Sequence, residues 1–157
     1  MNEDKPWYGL ELRRLTLHEP WASCVARYGK DIENRIWRPG ADFDGFIAIH
    51  AAATKSAIDI AACRWLHETY GYFEELFPGG VALERAEMRS RFDIGKIVAV
   101  ARFGGIVEAH EDGGMWHRPG ALGWRLQDIR RIGPYRSVGA YGLRPMRDYE
   151  SLDIWER

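Results

Sequence analysis

The stretch from Trp21 to Trp37, WASCVARYGKDIENRIW, gathers the groups in this chain best suited to chemistry. If residues 31–37 are extended, alternate side chains share a face. Glu33, Arg35 and Trp37 then point one way, and Ile32, Asn34 and Ile36 the other. Neighbours on one face lie roughly 6.6 Å apart, from a rise of about 3.3 Å per residue, which is near the width of a planar heterocycle. A carboxylate acceptor, a guanidinium fork and an indole face on one stripe suit a nucleobase and its phosphate. Lys30 adds a compact positive charge just before the stripe. The same residues also describe a solvated strand face, with weak Lys30–Glu33 and Glu33–Arg35 ion pairs. Spacing alone leaves both readings open.

Other chemistry has less support. The five histidines, His18, His50, His67, His110 and His117, show no HxxxH or HExxH spacing, so neither a metal nor any other cofactor is expected. His50 sits in an apolar segment and reads as a hydrogen-bonded core histidine. His110 and His117 flank a glycine-rich loop and read as surface polar residues. Cys24 and Cys63 fall in helix-like segments without CxxC spacing and read as two buried thiols. Of the seven tryptophans, Trp65 and Trp124 have core-like spacing, whereas Trp21, Trp37 and Trp116 lie at element ends, where they can line a cleft.

These groups need a scaffold, and the pattern predicts a mostly β one. Residues 11–17 end in alternation and read as a strand. EPWASCVARY starts a helix at Pro20, and Gly29 is placed to end it. Residues 31–37 and 45–51 read as strands. Residues 54–70 place Ile58, Ala61, Ala62, Trp65, Leu66 and Tyr70 on one helical stripe, with Thr54 as N-cap. A weaker helix is expected over 81–91. KIVAVARF is the most hydrophobic strand, and Gly104-Gly105 predicts a bulge or bend before IVEAH. Residues 122–132 and 136–145 read as two closing strands around Gly133-Pro134. Short strands with helices inserted early predict a small, mostly antiparallel barrel.

The 157 residues point to a single domain, 1–157. Hydrophobic content of 46% excludes a mainly disordered chain. No apolar run approaches the ~20 residues needed to span a bilayer, and MNEDKPWYG lacks the apolar stretch of a secretory signal, so a cytoplasmic protein without a membrane partner is expected. Net charge is −1, which excludes a uniformly basic nucleic-acid binder. The distribution is uneven. Between Arg118 and Arg147 stand seven arginines (118, 125, 130, 131, 136, 144, 147) and one acid, Asp128, so this segment carries +6 and the remainder −7. One face can be basic on a neutral molecule, and Arg118, Arg125, Arg130, Arg131 and Arg136 are its candidates.

HEPWASCVARYGKDIENR resembles the core motif of ASCH domains, a branch of the PUA-like superfamily: Pro-Trp-Ala, a helix, then G-x-K-x-x-E-x-R. Pro20, Trp21, Ala22, Lys30, Glu33 and Arg35 match. Tyr28 stands in place of the motif glycine, with Gly29 one residue late. GFIAIHAA at 45–52 is similar to the family's second strand, and LGWRLQDIRRIGPYRSVGAYGL to its closing hairpin, so the resemblance covers about residues 12–145.

The resemblance implies an α+β, mostly β, PUA-like barrel with helices inserted after the first strands and a cleft between helix and barrel. It implies binding of RNA, another single-stranded nucleic acid or a nucleoside or nucleotide there. The ligand-binding candidates are Trp21, Lys30, Glu33, Arg35, Trp37, His50 and Trp116, with His50 reaching the ligand indirectly by orienting Glu33 or Arg35. Some small members of the family are amidohydrolases acting on acetylcytidine, and one type is described as a ribonuclease. The alternative is therefore a hydrolase, an amidohydrolase or a metal-independent ribonuclease, with Lys30 as nucleophile or base and Glu33 or Glu108 moving the proton. Glu33 occupies the position of the amidohydrolase threonine, which counts against that chemistry.

Overall fold

The computed structural model describes residues 5–41, 43–54, 56–80, 84–139 and 141–146. Its elements follow in the order β1 (Leu12–Leu17), α1 (Trp21–Arg27), β2 (Ile32–Arg35), β3 (Phe46–Ala51), α2 (Ile60–Tyr70), α3 (Arg85–Arg91), β4 (Lys96–Val107), β5 (Leu122–Arg136) and β6 (Leu143–Pro145). The strands join one sheet in the order β2-β5-β4-β3-β1-β6. β1 and β3 are parallel, and the other pairings are antiparallel. A parallel pair needs a crossover connection, and here that connection contains α1 and β2. The architecture is α+β and mostly β, as the pattern predicts.

α1 packs against β1, β3, β4 and β5 at once, so the sheet curls around it into a half-barrel. Ala22 and Val25 of α1 lie in one buried cluster with Leu15, Leu17, Ile47, Ile49 and Trp124. The other face is covered by Trp7 and Met146, which pack on Leu12, Phe46, Ala48 and Val100. β3 is thus buried on both faces, which is why FIAIHA is almost continuously apolar. A third cluster, including Cys24, Cys63, Leu66, Phe73 and Met88, packs α2 and α3 behind α1. Both thiols are free and buried there. No helix among the described residues is long and apolar enough to cross a membrane.

Several expectations need correction. The second helix starts at Ile60, not at residue 54, and its N-cap is Asp59, whose carboxylate accepts from the Ala62 amide at 2.9 Å. Thr54 cannot cap it, because residues 57–59 run extended against Glu19: Glu19 N donates to Ala57 O, and Asp59 N to Glu19 O. The buried side of α2 carries Cys63 and Leu66, while Trp65 and Tyr70 are exposed. Of the weaker helix, residues 85–91 are helical, and 81–83 lie outside the described residues.

The closing hairpin is also different. β5 runs straight through Gly133-Pro134 to Arg136, and only Leu143–Pro145 returns, pairing with β1 rather than β5. The partner strand explains this. β4 keeps pairing on both sides of the Gly-Pro step, at Ala99↔Arg131 and at Ile97↔Tyr135, and the register shift between them absorbs the extra residues as a bulge. The expected irregularity at Gly104-Gly105 is present, between Phe103 and Ile106.

Candidate functional site

Lys30 is positioned by the last turn of α1. Its amide donates to Cys24 O, which also accepts from Tyr28 N. Gly29, with φ of +69°, supplies the left-handed turn between them. The chain then enters β2, where Glu33 pairs across the sheet with Trp124 and Leu126 N donates to Asp31 O.

The strand covers Ile32–Arg35 rather than 31–37; within it Glu33 and Arg35 share a side, Glu33 buried and Arg35 half-buried, and Trp37 lies just beyond it, also half-buried. Lys30 is 3% exposed and Glu33 9%. Lys30 Nζ donates to the Ile32 carbonyl and to Glu33 Oε2, the latter at 2.8 Å. The second carboxylate oxygen, Oε1, lies 3.6 Å from Arg35 Nε, an ion pair too long for a hydrogen bond. Arg35 Nη2 donates to Thr16 O at 3.1 Å, and the guanidinium stands 5.9 Å from the Trp37 ring centroid. Arg35 Nε is buried with no hydrogen-bond partner. Trp37 is braced edge-on by Trp124 at 4.8 Å, and Trp124 Nε1 donates to Trp37 O. Two cations thus enclose one carboxylate, leaving one net positive charge in a largely dry cluster. Such a cluster can receive an anionic or hydrogen-bond-accepting group.

The other predicted residues are more dispersed. His50 is buried, with Nε2 2.9 Å from Ser137 O and Nδ1 3.1 Å from Thr16 Oγ1. Thr16 joins it to Arg35, for the Thr16 carbonyl accepts from that arginine. Trp21 is half-buried against the α2 cluster. Trp116 lies near Tyr72, and its carbonyl accepts from Asn34 Nδ2 at 2.9 Å. Asn34 Oδ1 also accepts from Arg118 N. The face of β2 opposite Glu33 therefore anchors the 116–118 loop.

Glu108 is partly exposed and held by Arg38 through two hydrogen bonds, at 2.9 and 2.6 Å. Each holds the other in its charged form: the Glu108 carboxyl is lowered and the Arg38 guanidinium raised. Among the described contacts none joins Glu108 to Lys30 or Glu33. Of the basic candidates, Arg118, Arg125, Arg131 and Arg136 are exposed, whereas Arg130 pairs with Asp128 at 3.1 Å. Arg147 lies outside the described residues.

His117 is not a surface residue. It is buried, its Nδ1 accepts from Gly113 N at 3.0 Å, and its Nε2 lies 2.7 Å from Ala121 O. Accepting on one nitrogen leaves the proton on the other, so the ring laces the two ends of its own loop together. Glu19 drew no attention in the sequence. It is fully buried, accepts from Ser23 N at 2.9 Å and from Ser23 Oγ, and burial raises its carboxyl to about 7. The same burial pushes the Cys63 thiol up to about 12 and raises Cys24 as well, so neither is an activated nucleophile.

Among the described residues no three His, Cys, Asp or Glu side chains are grouped to hold a metal ion. An open groove of about 550 Å³, lined by Leu10, Arg13, Phe43, Phe46 and Arg102 among others, lies at the start of β1 and β3. The Arg35 contact is near their other end, roughly 13 Å along the strands, so the groove is separate from the cluster. No protein-family model and no curated protein matches this chain.

Proposed function

We propose that the chain is a PUA-like domain of ASCH type that binds a nucleotide or a segment of nucleic acid, RNA foremost, at Lys30, Glu33 and Arg35. The observation that carries this reading is the Arg35 guanidinium. One of its amino groups is fixed on Thr16 O, and its buried Nε has no hydrogen-bond partner. Buried donors without partners are rare and ask for an explanation, and a phosphate would take this N–H with one oxygen and an adjacent guanidinium amino group with a second. Glu33 would accept from an exocyclic amine or a ribose hydroxyl, and Trp37 would offer its ring beside them. The exposed arginines of β5 would follow an extended backbone.

A hydrolase acting on acylated cytidine-type nucleosides or on RNA is the second reading. Its support is the 2.8 Å Lys30–Glu33 contact, an ammonium and a carboxylate within proton-transfer reach.

The test is binding of short RNA and DNA oligonucleotides across a salt series, with wild type, Lys30→Gln and Arg35→Gln. Sub-millimolar affinity with a negative salt slope, weakened in both variants, is expected. Affinity weaker than millimolar with no salt slope, or unchanged in both variants, sinks the binding reading. Turnover of acetylcytidine or labelled RNA that Lys30→Gln abolishes would put the hydrolase first.

A further inference from the structure

Glu33 is the acid of the cluster, and its two oxygens meet different cations. Oε2 accepts from Lys30 Nζ at 2.8 Å, so the buried lysine is neutralised where it stands. Lys30 also donates to Ile32 O, which turns its charge toward protein groups. Oε1 lies 3.6 Å from Arg35 Nε, close to that cation but without a hydrogen bond to it. What the cluster offers an anion is therefore the Arg35 guanidinium, through its buried Nε–H and an amino group beside it.

The charges around the cluster leave this count intact. Arg38 and Glu108 neutralise one another. Arg14 shares a side of β1 with Leu12, which packs with Trp7 away from α1, and it donates to Ser137 Oγ. Asp31, just before β2, and Arg125, opposite Ile32, are both exposed and opposite in sign.

We propose that Glu33 selects the charge of the ligand: it reduces the cluster to one positive charge and so favours the singly charged phosphodiester within a nucleic-acid strand over the doubly charged phosphate at a strand end. The inference rests on the binding reading above and deepens it. Attraction to the cluster grows in proportion to a ligand's charge, whereas the cost of drying that charge grows with its square. One positive charge in a largely dry site is therefore matched by one negative charge. A phosphate monoester carries about −2 above neutral pH and exceeds it. The donors agree with the charge. A diester has two non-bridging oxygens, one for the Nε–H and one for the neighbouring amino group. A monoester brings a third free oxygen to a nitrogen that already has Glu33 Oε1 3.6 Å away.

The experiment compares AMP with its monomethyl ester at pH 8 by isothermal titration calorimetry. The two ligands differ by one capped oxygen and one charge. Wild type should bind the methyl ester about tenfold more tightly. Glu33→Gln leaves two positive charges and should shift that preference by about tenfold toward AMP. A second comparison needs no variant: in competition with a labelled RNA, an unlabelled RNA should be equally strong with and without a terminal phosphate. AMP bound by wild type as tightly as its methyl ester overturns the selection, and so does RNA that binds only when terminally phosphorylated. An unchanged preference in folded Glu33→Gln, with both ligands weakened in Arg35→Gln, overturns the role of Glu33 and leaves the binding reading standing. Wild-type protein that binds neither nucleotide nor RNA overturns both readings.

Discussion

Arg35 on β2 donates from Nη2 to the main-chain oxygen of Thr16 on β1, at 3.1 Å, although three strands lie between β2 and β1 in the sheet. The curl of the half-barrel thus brings β2, one end of the sheet, close enough to β1, next to the other end, for one side chain to reach across the seam. The candidate site lies at that seam, beside a joint that is itself a hydrogen bond.

Arg35→Ala removes this charge-assisted bond and should lower stability by about 1.5 kcal/mol. Arg35→Lys keeps the charge but not the planar fork, and should recover little of the loss. Urea midpoints at unchanged slope measure the effect. A wild-type midpoint in Arg35→Ala would show that the seam holds without it.

Lys30 and Glu33 form a buried pair, and removing one partner strands the other. Lys30→Met should destabilise by roughly 3–5 kcal/mol. Adding Glu33→Gln removes the stranded charge and should return part of that loss. A double-mutant cycle by chemical denaturation reads the coupling. Strictly additive losses would contradict a direct interaction between the two groups.

Glu19 should make stability pH-dependent in the direction opposite to that of an exposed carboxylate. Burial raises its carboxyl from 4.5 to about 7 in the folded protein, so the folded state holds this proton more tightly than the unfolded chain. The stabilisation is complete below about pH 4.5 and is lost as pH rises through 7, by roughly 3 kcal/mol in all. Glu19→Gln mimics the protonated acid and can still meet Ser23. Its stability advantage over wild type should therefore grow between pH 5 and pH 8. Parallel profiles for the two proteins would mean that the carboxyl titrates normally.

His117→Ala should release the loop it laces. The Gly113 amide loses its acceptor and the Ala121 carbonyl its ring donor, a change worth about 1–3 kcal/mol. Hydrogen exchange at Gly113 should accelerate while exchange within β4 stays slow. Unchanged protection at Gly113 would assign the amide another acceptor.

The strands and the charged stripe were legible because they rest on local rules. FIAIHA and KIVAVARF are too apolar to lie anywhere but in a core, and Glu33 and Arg35 share a face through the period of an extended chain. Helix phase was less legible. The stripe through Trp65 and Tyr70 has the right spacing, but Cys63 and Leu66 face the core, because what lies on each side of α2 depends on α1 and on Phe73. Gly133-Pro134 has the local chemistry of a turn, yet β4 supplies pairing partners on both sides and turns it into a bulge.

By itself the sequence determined that FIAIHA and KIVAVARF are strands of the core and the order of the charged groups from Lys30 to Arg35, since each follows from neighbours a few positions away. Tertiary structure alone decided whether that stripe faces water. Lys30 and Glu33 are buried because α1 fills the half-barrel and carries the one onto the other, and the curl brings Thr16 within reach of Arg35. The same long-range packing buried Glu19 and brought Tyr28 and Trp116 from distant segments against Tyr72. Burial of a polar group and contact between distant side chains are properties of the closed shape, and no local spacing encodes them.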